Sequence, residues 1–114
     1  MKKPNNEDRL RHILDAVERI ERYLQGYDRQ SFGADEKTQD AVVRQLEIIG
    51  EAATSLTRDL RSNNPQVEWR FAVAMRNRLI HGYFDIDPEI VWNTTQNDLP
   101  VLKKQIEEIL AGLS

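Results

Sequence analysis

The sequence contains no cysteine, only two histidines and no long apolar run. The absence of cysteine excludes disulfide bonds, thiolate metal sites and cysteine-based catalysis. No apolar segment approaches the roughly 18 residues that a membrane-spanning helix needs, and the N-terminal residues do not resemble the apolar region of a signal peptide. The sequence therefore predicts a soluble, cytoplasmic protein.

Glycine and proline are also scarce, at five and four residues in a chain of 114. With 31% charged and 39% hydrophobic residues, this composition favours helices joined by few loops and is too apolar for intrinsic disorder. The length predicts one domain over residues 1–114. A net charge of −3 argues against a general nucleic-acid coat protein, but it allows a small local phosphate site.

Apolar residues recur every three or four positions in several stretches, which is the period of a helix facing a core. No segment shows the alternation of a β-strand. The sequence therefore predicts an all-α fold, an antiparallel bundle of four to five helices. The apolar stretches cover residues 10–24, 41–56, 67–80 and 90–113.

Capping residues mark where the first two helices begin. Asn5 or Asn6 is suited to begin the first, and Asp35 the second, because short polar side chains accept hydrogen bonds from the first helical turn. Residues 27–34, between these helices, are predicted to form a loop, with Phe32 packed against the core.

Breaker residues divide the second half of the chain. The cluster at residues 62–65 interrupts it, and Gly82 is predicted to end the third helix. Asp87 and Pro88 are typical of a helix start, with an N-cap and a proline at the first helical position. Pro100 is predicted to kink the following helix or to separate it from a last one, because proline lacks a backbone donor.

The stretch between Trp69 and Phe84 contains no acidic residue, although the protein as a whole is acidic. It collects guanidinium, carboxamide, imidazole and phenol groups within a few positions. This local cationic site is the strongest candidate for function. Its polar residues are Arg70, Arg76, Asn77, Arg78, His81 and Tyr83.

Metal and cofactor sites have little support in the sequence. There is no phosphate-binding glycine loop and no pair of histidines at metal spacing. His81 is the only histidine near other functional groups, whereas His12 is interpreted as a surface residue. Asp85 and Asp87 could suggest a magnesium site, but Pro88 makes a helix cap the favoured role for Asp87. The prediction is that no metal and no cofactor is bound.

The spacing within the candidate site constrains its geometry. Asn77 and His81 are four residues apart and share one helix face. Arg76 and His81 are five apart and diverge by about 140° around a helix axis. They can converge if the helix unwinds at Gly82, or across the two-fold axis of a homodimer, which would also supply two imidazoles for proton transfer.

Two interpretations of these residues remain open. Arginine clamps phosphate and imidazole titrates near neutrality, so Arg76 and His81 suit metal-free RNA cleavage by attack of the 2′-hydroxyl. Alternatively, Arg76 and Arg78 are solvated helix charges and His81 stabilises a helix C-terminus. Composition alone favours the second interpretation. Glu51, beside the mid-helix Gly50, is either half-buried and hydrogen-bonded or a solvated charge.

The arrangement Arg76-Asn77, three residues, His81-Gly82-Tyr83 resembles the signature of the HepT-like branch of the HEPN superfamily. That signature is Arg, four residues, His, one residue, Tyr, usually with Asn after the Arg. Residues 44–53 and 87–92 are similar to further segments of the same branch. The resemblance spans most of the chain, in the same order and at the same spacings.

The resemblance implies a metal-independent endoribonuclease that acts as the toxin of a toxin–antitoxin pair and dimerises with its motifs facing each other. Arg76 would hold the scissile phosphate and His81 would act as acid and base. Asn77 would orient His81 or bind the phosphate, with Glu51 and Arg78 in supporting roles.

The implied partner is a MntA-like nucleotidyltransferase antitoxin that adenylylates Tyr83. An adenylyl group there would block RNA by its bulk and its charge. The alternative for Tyr83 is an aromatic side chain packed under the helix that begins at Asp87. The alternative for the whole protein is a non-catalytic HEPN subunit that binds a nucleotide or a nucleotidyltransferase, and a plain dimerisation module ranks last.

Overall fold

The computed structural model describes residues 5–69 and 87–113, and within them the chain forms six α-helices, one π-helical segment and no β-strand. The all-α prediction is confirmed. None of the described helices combines the length and the apolar character needed to cross a membrane. The helices are α1 (Asn6–Tyr23), α2 (Arg29–Gly33), α3 (Glu36–Thr54), α4 (Arg58–Asn63), α5 (Pro88–Asn93) and α6 (Leu99–Leu113), with the π-helical segment Thr94–Asp98 between the last two.

Helix α1 begins and ends through local hydrogen bonds. The side chain of Asn5 accepts from the backbone N–H of Asp8 at 2.9 Å, and the Asp8 carboxylate accepts from the backbone N–H of Asn5 at 3.2 Å. This capping box identifies Asn5, and not Asn6, as the N-cap. Gly26 follows the helix in a turn at φ +81°, a conformation that side chains disfavour. Of the predicted apolar stripe, Leu10, Ile13, Val17 and Ile20 are buried, and Leu14 and Leu24 are partly buried.

The prediction of a loop over residues 27–34 was wrong, because Arg29–Gly33 forms the short helix α2. Asp28 begins it by accepting from the Ser31 N–H at 2.8 Å, and the Ser31 hydroxyl accepts in turn from the Asp28 N–H at 2.9 Å. Five residues are too few to show helical periodicity, so only this capping pair carries the signal. Phe32 is fully buried, as predicted.

Helix α4 was also not predicted, for the same reason of length. The Thr57 hydroxyl caps it, and the chain leaves the helix at Asn64, inside the predicted breaker cluster. The helix predicted to follow, and its end at Gly82, lie outside the described residues beyond Trp69.

The predicted N-cap of α3 is confirmed at Asp35 and belongs to a small network. Its carboxylate accepts from the Thr38 N–H at 3.1 Å, from the Thr38 hydroxyl at 2.8 Å and from the Tyr27 hydroxyl. The Tyr27 hydroxyl, and then the two Thr38 donors, lower the pKa of Asp35 below its ordinary value. The network ties the turn after α1 to the start of α3.

This network predicts a pH-dependent contribution to stability. A carboxylate whose pKa is depressed on folding stabilises the protein above its unfolded-state pKa, and the contribution is lost as the pH falls through the lower folded-state pKa. Asp35→Asn keeps a capping side chain but removes the charge. We expect it to be less stable than the parent at pH 7, with the difference shrinking below pH 4 in urea titrations followed by circular dichroism.

Tyr27→Phe serves as the companion variant, because it removes the donor with the largest effect while leaving the cap in place. In Tyr27→Phe the pKa of Asp35 is depressed less, so the stability that this variant loses between pH 7 and pH 3 should be smaller than the loss in the parent. A difference between parent and Asp35→Asn that stays constant from pH 7 to pH 3 would contradict this assignment.

Contacts at the helix ends show that α1 runs antiparallel to both α3 and α6. At its start, the Asn6 amide donates to the Thr57 hydroxyl at 3.0 Å and accepts from the Thr57 N–H at 3.1 Å, just beyond the end of α3. Near its end, Glu21 pairs at 3.0 Å with Lys103, in the first half of α6. The antiparallel arrangement predicted for the bundle is therefore present in the pairs α1–α3 and α1–α6.

One continuous core lies between the helices, and its largest fully buried side chains include Phe32, Leu46 and Ile106. The apolar stripe of α6 contributes to this core through Leu99, Ile106 and Ile109. Only its last member, Leu113, is about half exposed, at 52%. Most of the stripe therefore packs against the core of its own chain.

The helix that begins at Pro88 neither stops nor divides before Pro100. The Leu99 N–H donates to the Thr94 carbonyl, five residues earlier, which gives the π-helical segment its wider turn. Because Pro100 has no N–H, a regular α-helical bond is missing at this point, and the wider turn accommodates its ring. The buried Thr94 and Thr95 hydroxyls donate to carbonyls of the preceding turn at 2.9 and 2.7 Å.

Candidate functional site

Arg76, Asn77, Arg78, His81 and Tyr83 lie outside the described residues. The structure instead shows how the chain is held on both sides of them. We call Trp69, the last described residue before the candidate motif, its upstream border, and Asp87, the first described residue after it, its downstream border. Of the predicted site residues, Glu51 is the one that the structure places.

The upstream border is fixed by hydrogen bonds to α4 and α6. The Trp69 side chain is buried, and its indole N–H donates to the Asn64 carbonyl at 3.0 Å. The Asn64 amide donates in turn to the Leu60 carbonyl at 2.8 Å. From α6, the Gln105 amide donates to the Gln66 carbonyl at 2.8 Å. The turn before the candidate motif is therefore held in place by two helices.

The downstream border begins with a helix cap. The Asp87 carboxylate accepts from the Glu89 N–H at 2.9 Å, and Pro88 occupies the first turn, as predicted. Arg29 of α2 donates to the Glu89 carboxylate and to the Asn93 side-chain oxygen, both at 2.9 Å. These groups are exposed, so the ion pair contributes at most about 1 kcal/mol. Its effect is to keep α2 beside α5.

Aromatic packing reinforces the same border. The ring of the fully buried Phe32 lies 5.5 Å from that of Trp92, between centroids, and the two planes are tilted by 39°. Aromatic pairs at this separation are favourable beyond the area they bury. The helix that follows the candidate motif is thus packed directly onto α2.

Of the two residues of the magnesium alternative, Asp85 lies outside the described residues. Asp87 is used as a helix cap, as the sequence indicated. Across residues 5–69 and 87–113, no group of three or more histidine and acidic side chains could hold a metal ion. His12 is exposed on α1, which confirms its interpretation as a surface histidine.

Glu51 is exposed on α3, whereas its neighbours Gly50 and Ala52 are buried. Of the two alternatives, the solvated charge is therefore the one observed. The carbonyl of Gly50 accepts from the Thr54 hydroxyl at 2.8 Å, one turn later. A supporting role for Glu51 would have to act from the surface of α3.

Several residues that hold these borders were not singled out in the sequence. Arg29 reaches Glu89 across 60 residues, and Gln105 reaches Gln66 across 39. Contacts at such separations leave no periodic or capping signal. The only local hint was the capping pair of Asp28 and Ser31, which begins α2. Arg29 lies in the first turn of that helix.

Comparison with known proteins identifies the class to which this helical domain belongs. The family described as "Ribonuclease HepT-like" matches residues 13–109. The chain therefore belongs to the ribonuclease HepT-like family, which confirms the resemblance seen in the motif. No solved structure gives a significant match.

Named relatives agree with this assignment. A protein of Thermococcus cleftensis named "Probable ribonuclease HepT" is 39% identical over 107 residues, which cover 94% of this chain and 97% of the relative. A "Putative RNase" of Caldanaerobacter subterraneus subsp. tengcongensis is 39% identical over 89% of this chain and 90% of the relative. A "Putative RNase" of Methanocaldococcus jannaschii is also 39% identical, over 91% of this chain and 86% of the relative.

Proposed function

We propose that this chain is a metal-independent endoribonuclease. The observation that carries the proposal is the complete arrangement of Arg76, His81 and Tyr83 in a chain of the ribonuclease HepT-like family. Relatives of nearly the same length are named as ribonucleases, which supports RNA as the substrate. We also propose that the protein acts in the cytoplasm, where such a substrate is found.

The proposed reaction is an internal transfer at one phosphodiester. The RNA 2′-hydroxyl attacks its own phosphorus while His81 takes the hydroxyl proton. The bond from phosphorus to the 5′-oxygen breaks, and a protonated imidazole gives that oxygen a proton. The products are a 2′,3′-cyclic phosphate and a 5′-hydroxyl end. Arg76 would stabilise the charge that develops on the phosphate oxygens, with Asn77 orienting His81 or the phosphate.

A symmetric homodimer would complete the site. Arg76 and His81 would diverge if they lay on one continuous helix, but a second copy can bring one subunit's arginine to the other's histidine. It also supplies the second imidazole that the reaction uses. Sedimentation equilibrium at micromolar concentration should give a dimer, and a monomer would remove the composite site from this proposal.

The test of the activity is cleavage of RNA in excess EDTA. Purified protein should cut an RNA strand but leave DNA of the same sequence intact, since DNA lacks the attacking 2′-hydroxyl. Product ends should be a cyclic phosphate and a 5′-hydroxyl. Cleavage that requires magnesium, or that extends to the DNA strand, would refute this mechanism.

We further propose that the protein is the toxin of a toxin–antitoxin pair and that a MntA-like nucleotidyltransferase silences it at Tyr83. The tyrosine hydroxyl would attack the α-phosphate of ATP, and pyrophosphate would leave. A bulky anion beside His81 would then exclude the RNA phosphate by its volume and its charge.

Intact mass spectrometry should detect this modification. Co-expression with the partner should raise the mass by one or more whole adenylyl groups and abolish RNA cleavage. Tyr83→Phe should retain the unmodified mass and should stay active, with Tyr27→Phe as a control that still accepts the modification. An unchanged shift in Tyr83→Phe would place the modification elsewhere.

A further inference from the structure

Arg61 stands apart from the other charged residues of the described chain. It lies in the last turn of α4 and is only partly exposed. Its Nε is buried without a hydrogen-bond partner, the one such side-chain atom among the residues that the structure describes. Buried polar groups are normally hydrogen-bonded, so an exception calls for an explanation.

Among the residues that the structure describes, no carboxylate forms an ion pair with Arg61. The four ion pairs among the described residues involve Arg11, Arg29, Arg44 and Lys103. Neither Arg61 nor the exposed Arg58, three residues before it, takes part in any of them. Residues three apart share a helix face, so Arg58 and Arg61 lie on the same side of α4, and neither forms an ion pair with another described residue.

The position of α4 connects Arg61 to the candidate site. Thr57, at its start, is hydrogen-bonded to Asn6 of α1. At its end, Asn64 holds the indole of Trp69, the residue from which the chain enters the candidate motif. The backbone that carries Arg61 is therefore fixed at both ends and adjoins the upstream border.

The charge balance of the sequence agrees with this position. Residues 58–83 contain five arginines and only two acidic residues, in a chain whose net charge is −3. The Arg61 stem is packed at Nε, which restricts the side chain and lowers the entropic cost of holding a ligand. A restrained guanidinium without an acidic partner suits a phosphate, which its planar fork can bind with two hydrogen bonds.

We propose that Arg61, with Arg58 beside it, binds a backbone phosphate of the RNA strand away from the scissile bond. This inference rests on the proposed function for its substrate class. Arg61 acts on substrate binding and not on the chemical step. Contacts to phosphate position a nucleic acid without reading its sequence, so the effect should be the same for different RNAs.

The experiment separates binding from cleavage. A labelled single-stranded 2′-O-methyl RNA of mixed sequence cannot undergo attack by a 2′-hydroxyl, and fluorescence anisotropy measures its Kd over a range of NaCl concentrations. The logarithm of the binding constant falls as the logarithm of the salt concentration rises. Arg61→Gln should make this fall less steep by about 0.7, because one phosphate contact is lost. For variants that bind RNA equally at 1 M salt, that slope change corresponds to a Kd about fivefold higher for Arg61→Gln at 0.1 M salt.

Two control variants make the result specific. Arg61→Lys keeps the charge and should retain most of the salt slope. Arg22→Gln removes an arginine from the last turn of α1, about 24 Å along that helix from the contact between Asn6 and α4, and should leave the slope unchanged. Thermal unfolding of each variant checks that the fold persists.

Each outcome has a definite meaning. An Arg61→Gln variant that binds like the parent, or an equal loss in Arg22→Gln, overturns the inference and leaves the proposed nuclease standing. A reduced slope in a protein that does not cleave RNA supports the phosphate contact and refutes the catalysis. If the parent protein does not bind RNA, both proposals fail.

Discussion

Replacing His81 with alanine should lower the rate of RNA cleavage by about 10²–10⁴-fold, the usual contribution of a general acid–base group. In the proposed reaction His81 takes the proton of the 2′-hydroxyl, and its counterpart in a dimer supplies the proton to the leaving oxygen. One substitution therefore removes both imidazoles. Single-turnover cleavage in EDTA would measure the effect on the chemical step.

His12→Ala is the matched control, because His12 is the only other histidine of the chain and is exposed on α1. It should cleave RNA at the parent rate. The binding of 2′-O-methyl RNA should be nearly unchanged in His81→Ala, since the imidazole is assigned to proton transfer. Full cleavage activity in His81→Ala, with its fold intact, would refute the assignment.

Replacing Phe32 with alanine should lower the free energy of unfolding by about 3–5 kcal/mol, the range expected for truncating a buried aromatic side chain. Phe32 is fully buried and packs on Trp92 at 5.5 Å between ring centroids. The change removes buried apolar area, leaves a cavity and breaks the aromatic pair that joins α2 to α5. Urea unfolding at neutral pH would measure the loss.

Two companion variants separate packing from exposure. Phe32→Leu keeps an apolar side chain and should be clearly less costly than Phe32→Ala. Val101→Ala removes an apolar side chain that is 57% exposed and should change stability by no more than about 0.5 kcal/mol. If Phe32→Ala were as mild as Val101→Ala, the packing of α2 would not support the downstream border.

Features encoded within a few residues were predictable. Asn5, Asp35 and Asp87 each accept a hydrogen bond from the backbone two or three residues later, so the side chain and its partner lie in one short window. The first, second and last apolar stripes were long enough to show the period of a helix. Helices α2 and α4, of five and six residues, were too short and were missed.

Features that depend on distant residues could not be predicted. The cluster of Arg29 with Glu89 and Asn93 joins residues 60 and 64 apart. Periodicity could not place Glu51, which follows the buried Gly50 and is itself exposed. Pro100 indicated an irregularity, but only the packed helix determined that a π-helical turn would accommodate it.

The sequence by itself determined the helical class, the starts of α1, α3 and α5, and the motif that contains Arg76, His81 and Tyr83. These depend on local hydrogen bonds, on apolar period and on the order of residue types along the chain. Only the tertiary structure decided that the last apolar stripe serves the chain's own core, that α2 and α6 hold the borders of the motif, and that the buried Nε of Arg61 lacks a hydrogen-bond partner among the described residues. These outcomes depend on which residues meet across the bundle, and a one-dimensional pattern does not contain that information.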